Sequence, residues 1–389
     1  MIIRQAQKRL EKLYKLFKVI AVTGPRQSGK TTLVKYAYPH KPYVSLENPD
    51  IRQFAIQDPK GFLAQFPNGA ILDEVQRAPL LFSYLQEIVD ISRHTGQFIL
   101  TGSNNFLLNQ NISQSLAGRV AFLNLLPFSY SELRNYKEFA KPHDHENDYI
   151  LKGFYPPIYD MDIPWNEWLP NYIRSYIERD VRQVKNITDL LVFERFMRLL
   201  AGRTGQELNY SSLSVEIGVD VKTIQSWIGI LESSYIIYLL KPFHKNYNKT
   251  IVKRPKLYFY DTGLACSLLG ITQVLHLENH PLRGALFETL VMTELVKMKE
   301  NKGSDFRLFY WRDKTGREID ILIDKGNSVL PVEIKSGKTF QSDFLKSIRY
   351  WMKLSGEQKA HLVYAGDDTQ IRSDGITIAP WKDMACLLK

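Results

Sequence analysis

The chain has 389 residues, of which 44% are hydrophobic, a composition that is typical of a folded protein and excludes a mainly disordered one. Its length predicts two or three domains. Lysine and arginine number 51 against 41 acidic residues, and the net charge of +10 is compatible with a nucleic acid partner without establishing one. Cys266 and Cys386 lie far apart and outside any C-x-x-C motif, which argues against a disulfide scaffold or a structural zinc site and suits a reducing cytoplasm. No apolar run approaches the ~18 residues that a membrane helix needs, so we expect no membrane partner.

A phosphate-binding loop is predicted near the amino terminus, where the chain fits the pattern G-x-x-x-x-G-K-[ST]. Glycines allow the backbone to wrap closely around phosphate oxygens, and the helix that follows directs the positive end of its dipole at them. An apolar run at 17–22 predicts the strand before the loop, and residues 32–37 predict the helix after it. Lys30 can reach the β- and γ-phosphates, and the Thr31 hydroxyl can ligate Mg²⁺. The predicted ATP-binding residues are Gly24, Pro25, Arg26, Gln27, Ser28, Gly29, Lys30, Thr31 and Thr32.

Candidate catalytic side chains follow three later predicted strands. The strand at 70–74 ends in Asp73, which can hold Mg²⁺ through water, and Glu74, which can orient or deprotonate the attacking water. The strand at 97–101 is followed by Ser103 and Asn104, and either side chain could sense the γ-phosphate. Arg119 precedes the strand at 120–125 and is the candidate arginine finger for a neighbouring subunit's nucleotide, although a surface arginine at a helix end is the other reading.

The chain resembles the prokaryotic AAA+ ATPase family that carries a restriction-endonuclease-like C-terminal domain of unassigned function. The resemblance rests on the segments GPRQSGKTT, ILDEVQRAP, LTGSNNFLL and SLAGRV and extends along nearly the whole chain. It implies an α/β P-loop core, with a parallel sheet and helices on both faces, and ATP-driven work by a ring-shaped homo-oligomer. In AAA+ proteins the arginine finger ends the helix before the fifth strand, which is where Arg119 falls. We expect the AAA+ core in residues 1–150 and a helical lid or connector in residues 151–190.

Residues 191–256 predict a winged helix-turn-helix. A short helix at 211–217, with serine available as its N-cap, is followed by a glycine turn and a second helix at 221–233. The exposed face of the second helix and the basic hairpin after it supply the candidate DNA contacts, Lys222, Gln225, Ser226, Lys245, Lys249, Lys253 and Arg254. The second helix has no arginine, so sequence-independent DNA contact is favoured over base reading. A protein-packing role for this module remains the alternative.

Residues 257–389 predict a nuclease-like α/β domain, with a helix at 286–298 and strands at 307–311, 318–324 and 329–335. Strand periodicity places Asp320 beside Glu333 and Lys335, with Glu288 arriving from the helix. Carboxylates of this kind can bind Mg²⁺, and a lysine nearby can orient water against a phosphodiester. The set resembles the PD-(D/E)-x-K nuclease superfamily, except that Ile319 stands where a proline usually precedes the aspartate. A nuclease fold kept only for DNA binding or assembly is the open alternative.

These elements together predict Mg²⁺-dependent ATP hydrolysis coupled to DNA binding or remodelling, and they leave open a second, deoxyribonuclease activity. The competing hypothesis is a nucleotide-dependent regulatory switch that acts on a protein partner. In that case the winged helix and the nuclease-like fold would serve only packing or assembly.

Overall fold

The computed structural model describes residues 2–102, 115–136, 145–178, 189–243 and 254–388. Its amino-terminal part is built on a five-stranded sheet in which every neighbouring pair is parallel, in the order β2-β3-β4-β1-β5. The strands are β1 (Val19–Thr23), β2 (Tyr43–Ser45), β3 (Ile71–Asp73), β4 (Phe98–Gly102) and β5 (Val120–Asn124). The helices are α1 (Ala6–Leu16), α2 (Lys30–Ala37), α3 (Pro49–Gln57), α4 (Pro59–Ala64) and α5 (Leu81–Ile91), with a 3₁₀ turn at Val75–Arg77.

Helices cover both faces of this sheet, as predicted. One apolar core packs α1 and α2 against one face, and a second core packs α3, α4 and α5 against the other. Central strands of a sheet that is buried on both sides read as continuous apolar runs, which is why the sequence located them. Helix α1 packs beside the first strand, where its Leu10 is fully buried, whereas Leu16 is 61% exposed.

Strand β1 lies between β4 and β5, although the next strand along the chain, β2, is at the far edge of the sheet. Ligands of open α/β sheets bind at such reversals, beyond the carboxyl ends of the strands. The glycine loop that follows β1 lies at this point.

The middle of the chain is helical and carries a small antiparallel sheet in the order β6-β8-β7. Its helices are α6 (Tyr130–Arg134), α7 (Glu146–Lys152), α8 (Pro156–Asp160), α9 (Trp165–Tyr176), α10 (Leu190–Ala201), α11 (Tyr210–Ile217) and α12 (Val221–Ser233), and its strands are β6 (Gln206–Glu207), β7 (Ile237–Leu240) and β8 (Lys256–Phe259). Helix α9 has Pro170 inside it, and its Tyr172 and Ile173 are buried. The N-cap of α11 is Asn209 and not a serine.

The carboxyl-terminal part contains a six-stranded mixed sheet in the order β13-β14-β12-β11-β10-β9. Its elements are α13 (Thr262–Leu268), α14 (Val274–Glu278), α15 (Arg283–Lys302), β9 (Arg307–Arg312), β10 (Glu318–Asp324), β11 (Val329–Lys335), a 3₁₀ turn (Ser342–Leu345), α16 (Lys346–Ser355), β12 (Ala360–Tyr364), β13 (Gln370–Ile371), β14 (Ile376–Pro380) and a final 3₁₀ segment (Trp381–Leu388). Helices α15 and α16 contribute to different cores, which lie on opposite faces of the sheet. Within the described ranges, no helix is long and apolar enough to cross a membrane.

Candidate nucleotide site and acidic cluster

The glycine loop after β1 adopts the backbone that its sequence requires. Gly24 has φ of 143°, and a β-carbon there would collide with the carbonyl oxygen of Leu125 at the end of β5. Gln27 (φ 61°) and Gly29 (φ 89°) are both left-handed, and Gly29 caps α2. A left-handed residue is costly for a side chain such as glutamine, so the loop is held in this form by its surroundings.

Lys30, Thr31 and Asp73 meet at the carboxyl ends of the strands. The Lys30 side chain folds back over the loop, where its Nζ donates to the carbonyl oxygens of Gly24 (2.9 Å) and Pro25 (2.7 Å). Thr31 Oγ1 donates to Asp73 Oδ2 over 3.1 Å. A hydroxyl in contact with a buried carboxylate at a helix N-terminus is an arrangement that fits Mg²⁺ and the phosphates of a nucleotide.

Two neighbouring hydroxyls fix the orientation of Asp73. Tyr43 Oη donates to Asp73 Oδ2 over 2.6 Å, and Thr101 Oγ1 donates to Oδ1. Burial and the hydrogen bond to Asp73 raise the pKa of Tyr43 above its ordinary value, so the phenol stays a donor. Sequence analysis did not identify these two partners, because each lies on a strand next to β3 and is distant from Asp73 along the chain.

Glu74 follows β3 directly, and its backbone is left-handed (φ 55°), so it does not continue the extended strand. Its Oε2 accepts a 2.6 Å hydrogen bond from Gln76 Nε2. Strained residues of this kind concentrate at functional sites. Adjacent carboxylates that diverge at a strand end can serve different roles, as the sequence suggested.

Arg4 ties the glycine loop to the helical region that follows the sheet. Its guanidinium is 7% exposed and donates to the carbonyl oxygens of Ser28 (2.7 Å) and Leu126 (2.6 Å), and it pairs with Glu132 (3.1 Å). A guanidinium with its donors in a fixed fork suits such simultaneous contacts. Sequence analysis missed this residue, because a single arginine before a helix gives no distinguishing pattern.

An apolar pocket of about 110 Å³ lies beside the loop. Its lining includes Ile2, Gly29, Tyr36, Phe128 and Pro156, so it is formed jointly by the amino-terminal segment, α2 and α8. The backbone nitrogen of Ile2 donates to Asp160 Oδ1 over 3.3 Å, which closes the pocket from the side of α8.

A polar network joins the end of β1 to the middle part of the chain and to its carboxyl-terminal part. Thr23 Oγ1 donates to Asn124 Oδ1 (2.6 Å) and lies 3.0 Å from Tyr235 Oη, which itself donates to Asn124 Oδ1 (3.0 Å). Asn124 Nδ2 donates to Glu300 Oε2 of α15 over 3.0 Å. Tyr235 is 5% exposed and left-handed (φ 59°), an uncommon state for a bulky residue. Thr23 directly precedes the glycine loop.

Arg119 lies at the amino-terminal ends of the parallel strands, whereas its own glycine loop lies at their carboxyl-terminal ends. It precedes Val120, which pairs with Val19 at the start of β1, whereas the loop follows the end of β1. Its guanidinium forms a two-pronged ion pair with Asp90, which lowers the pKa of that carboxyl. Arg119 is thus separated from its own loop by the length of a strand, about 16 Å. Both candidates for the γ-phosphate sensor, Ser103 and Asn104, lie outside the described residues.

The candidate DNA contacts on α12 are at the surface. Lys222 and Gln225 are exposed and Ser226 is half-buried, while Ile224 and Leu231 face the core. Asp220 caps α12 by accepting from the Thr223 backbone nitrogen over 2.9 Å. Arg254 is exposed. The remaining candidates, Lys245, Lys249 and Lys253, lie outside the described residues.

The four residues of the predicted nuclease-like site converge between β10, β11 and α15. Asp320 and Glu333 flank the last pair of the β10–β11 register, Ile321↔Val332, and the Ile334 backbone nitrogen donates to Asp320 Oδ2 over 2.8 Å. Lys335 Nζ pairs with Glu333 Oε1 at 2.8 Å. Burial and the charge of Asp320 raise the pKa of Glu288 to about 7 and that of Glu333 to about 8. A register shift between Ile319 and Leu322 against β9 marks a bulge at Asp320, the kind of irregularity that redirects side chains.

An unpredicted lysine also belongs to this cluster. Lys256 of β8 is 3% exposed, and its Nζ lies 3.2 Å from Glu288 Oε1 and pairs with Glu318. Tyr258 Oη donates to Glu288 Oε1 over 2.5 Å. Lys256 and Tyr258 are thus the partners of the Glu288 carboxyl. In the part of the chain that the structure describes, no group of three or more His, Cys, Asp or Glu side chains has the arrangement to hold a metal ion.

Comparisons with known proteins divide the chain into three parts. Residues 16–134 match an AAA domain, whereas residues 143–275 and 283–384 each match a domain of unknown function (DUF8612 and DUF4143). An uncharacterized protein of Mycobacterium tuberculosis is 28% identical over 97% of this chain and 83% of its own length. Another, from Methanocaldococcus jannaschii, is 23% identical over 80% of this chain and 74% of its own length.

Sequence identity to solved structures is lower than to these relatives. The Walker-type ATPase PABY2304 of Pyrococcus abyssi matches with a TM-score of 0.46 and 14% identity, over 69% of this chain and 96% of its own. The matched AAA model spans β1 to β5 and contains the glycine loop, Thr31 and Asp73. Residues 16–134 of this chain therefore form an AAA-type P-loop ATPase domain.

Proposed function

We propose that this protein hydrolyses ATP with Mg²⁺ and uses the turnover to change how its winged helix-turn-helix engages DNA. The observation that carries the ATP site is the meeting of Lys30, Thr31 and Asp73 beyond the strand ends, with Glu74 directly after Asp73. The wider assembly is an AAA+ homo-oligomer. In this assignment residues 1–150 are the ATPase core, 151–190 the lid, 191–256 the winged helix and 257–389 the nuclease-like domain.

The ATP-site residues have separable tasks. When phosphates enter the loop, Lys30 exchanges its two carbonyl partners for phosphate oxygens, which are stronger acceptors because they are charged. Thr31 and Asp73 would hold Mg²⁺, which neutralises charge on the β- and γ-phosphates when bound. Glu74 orients the attacking water and takes its proton.

The apolar pocket beside the loop suits the nucleobase. Tyr36 and Phe128 offer aromatic surface, and Ile2 and Pro156 offer aliphatic contact. Because Arg4 holds Ser28 and Leu126 together, the pocket keeps a fixed position relative to the loop. A planar base buried there would leave its phosphates at Lys30.

The buried network at Thr23 supports coupling between the ATP site and the winged helix. Tyr235 stands between α12 and β7, and its hydroxyl touches the residue that precedes the glycine loop. A shift of the loop on nucleotide binding would therefore act on the segment that links the helix-turn-helix to its sheet. Strained residues cluster at switch regions, and the left-handed backbone of Tyr235 supports a coupling role at this contact.

The winged-helix assignment rests on element order and exposure. In chain order the elements are α10, β6, α11, α12, β7 and β8, the three strands form one sheet, and α12 presents Lys222 and Gln225 to solvent. Gly229 lies on the same exposed side, and a β-carbon there would meet nothing within 4 Å. A small residue on a polar helix face lets a phosphate backbone approach closely.

Arg119 would serve a neighbouring subunit, because its own nucleotide site is a strand length away. In the free subunit Asp90 holds the guanidinium, and assembly would exchange this partner for a phosphate. This exchange is inexpensive, because an exposed ion pair contributes little stability.

The test measures ATPase activity across single-stranded, duplex and branched DNA, at low and raised salt. We expect DNA to stimulate turnover, and salt to weaken the stimulation because phosphate contacts release counterions. Lys30→Ala should abolish turnover, whereas Lys12→Ala, which removes an exposed lysine of α1, should not. Normal turnover in Lys30→Ala would refute the site. ATPase activity that no DNA form alters would favour the regulatory switch acting on a protein partner.

Cleavage products are read from the same reactions. Nicking that needs Mg²⁺ and disappears in Asp320→Ala would assign the second activity to Glu288, Asp320, Glu333 and Lys335. If no DNA form is cut, the C-terminal domain binds or assembles without cutting.

A further inference from the structure

The acidic cluster of the C-terminal part is completed by a lysine from the small sheet of the middle part. Lys256 opens β8, the central strand of that sheet, and its ammonium lies within ion-pair distance of Glu288 on α15 and of Glu318 on β10. An ammonium at 3% exposure is strongly unfavourable unless carboxylates surround it. Burial alone would lower the pKa of Lys256, but the charges of Glu288, Asp320 and Glu318 raise it above its ordinary value.

The cluster has more acid than base. Glu288, Glu318, Asp320 and Glu333 face two ammonium groups, those of Lys256 and Lys335. Glu333 is 5% exposed, and among the described residues its Oε2 has no hydrogen-bond partner. A buried carboxyl oxygen without a partner marks a place where a water molecule or an ion fits.

We propose that Lys256 is a built-in cation that keeps the acidic cluster closed to divalent metal, so that metal enters only when Lys256 is withdrawn. The inference rests on the proposed metal-dependent role of Glu288, Asp320 and Glu333. The Lys256 ammonium lies 3.2 Å from Glu288 Oε1, and its positive charge repels a divalent cation that would bind the same carboxylate.

Lys256 comes from a different sheet than Asp320 and Glu333, so its contact with Glu288 can control access of metal to the cluster. Its β8 strand pairs with β7 and β6, not with the sheet that carries Asp320 and Glu333. Tyr258, two residues along the same strand, also binds Glu288 Oε1. Both contacts would be lost together if β8 moved away from α15.

The experiment measures Mn²⁺ binding to the nucleotide-free protein by electron paramagnetic resonance of the free ion. Binding at the cluster is the part that Asp320→Asn removes, so that weak binding at the ATP site does not interfere. We expect the wild type to show no Asp320-dependent site at millimolar Mn²⁺. Lys256→Met should gain one such site, with at least a tenfold increase in affinity.

Lys297→Met is the matched control. Lys297 is 1% exposed and pairs with Glu294 on the same helix as Glu288, so its loss disturbs α15 to a similar degree. It should create no Asp320-dependent site. If Lys256→Met does not fold, Lys256→Met combined with Glu318→Gln removes one charge of each sign and keeps Glu288, Asp320 and Glu333 for the same measurement.

Three outcomes of the Mn²⁺ measurement decide whether Lys256 closes the cluster to metal. Metal binding gained only on loss of Lys256 supports the proposal. An Asp320-dependent site of equal affinity in the wild type overturns it and leaves the metal-dependent function standing. If neither the wild type nor the Lys256 variants bind Mn²⁺ at the cluster, both the closure by Lys256 and the metal-dependent function are wrong.

Discussion

Tyr235→Phe isolates one hydroxyl at the contact between the ATP site and the winged helix. The ring stays buried against Tyr260, and only the hydrogen bond to Asn124 and the contact with Thr23 are removed. Thr23 and Asn124 still bond to each other over 2.6 Å, so neither becomes an isolated buried polar group. The loss in unfolding free energy should therefore be that of one ordinary hydrogen bond, about 1 kcal/mol.

The functional effect should be larger than the stability effect. In the wild type, nucleotide binding should change the amide hydrogen exchange of β7, because Tyr235 precedes that strand and touches the loop strand. In Tyr235→Phe the exchange response of β7 should be lost, while basal ATP turnover remains close to the wild-type rate.

Tyr364→Phe provides a matched comparison. Tyr364 is 3% exposed, and its hydroxyl donates to the Asp368 carbonyl oxygen over 2.9 Å, within the C-terminal sheet region. This variant should lose similar stability and keep the exchange response of β7. If Tyr235→Phe is destabilised as expected but β7 still responds to nucleotide, the network is only structural and the coupling argument is wrong.

Three further predictions concern other parts of the chain. Arg119→Ala should lose hydrolysis but keep nucleotide binding in a fluorescent-nucleotide titration, and wild-type turnover would exclude the finger role. Gly229→Ala should stabilise α12 by about 0.5–1 kcal/mol in denaturant unfolding but weaken DNA binding, and unchanged affinity would show that this face is not a contact surface. Because the pKa values of Glu288 and Glu333 are raised to about 7 and 8, the folded state retains protons that the unfolded chain releases above about 4.5. Unfolding free energy should therefore fall as pH rises from about 5 to 8. A shallower slope in Glu288→Gln would assign part of this dependence to Glu288, and an unchanged slope would exclude that carboxyl as a cause.

Regular elements with strong patterns were predictable from the sequence. The strands Glu318–Asp324 and Val329–Lys335 and the helix Val221–Ser233 begin and end where predicted, because alternation, a glycine turn and an aspartate cap each leave a local signal. The glycine loop was equally accessible, since its function requires fixed residues at fixed spacing.

Contacts between distant segments were not predictable in this way. Lys256 reads as one more residue of a basic segment, and only the fold places it beside Glu288, 32 positions away. Tyr235 gives no sign of its left-handed backbone, which is set by the tight connection between α12 and β7. The same limit applies to Arg4, whose three partners belong to three separate segments.

Tyr235 and Lys256 lie toward opposite ends of the paired strands β7 and β8, which would offer the proposed ATP site a physical route to the acidic cluster. Tyr235 precedes β7, and β7 pairs with β8 from Ile237↔Phe259 to Leu240↔Lys256. A paired antiparallel ribbon moves more readily as a body than by slipping its register, because a slip of one residue would turn every buried side chain outward. A displacement imposed at Tyr235 would therefore be carried to Lys256 at the other end of the ribbon. Lys256 is the cation that pairs with Glu288, so a small movement of β8 would change the balance of charge in the cluster. Nucleotide and metal would then be connected without direct contact between them.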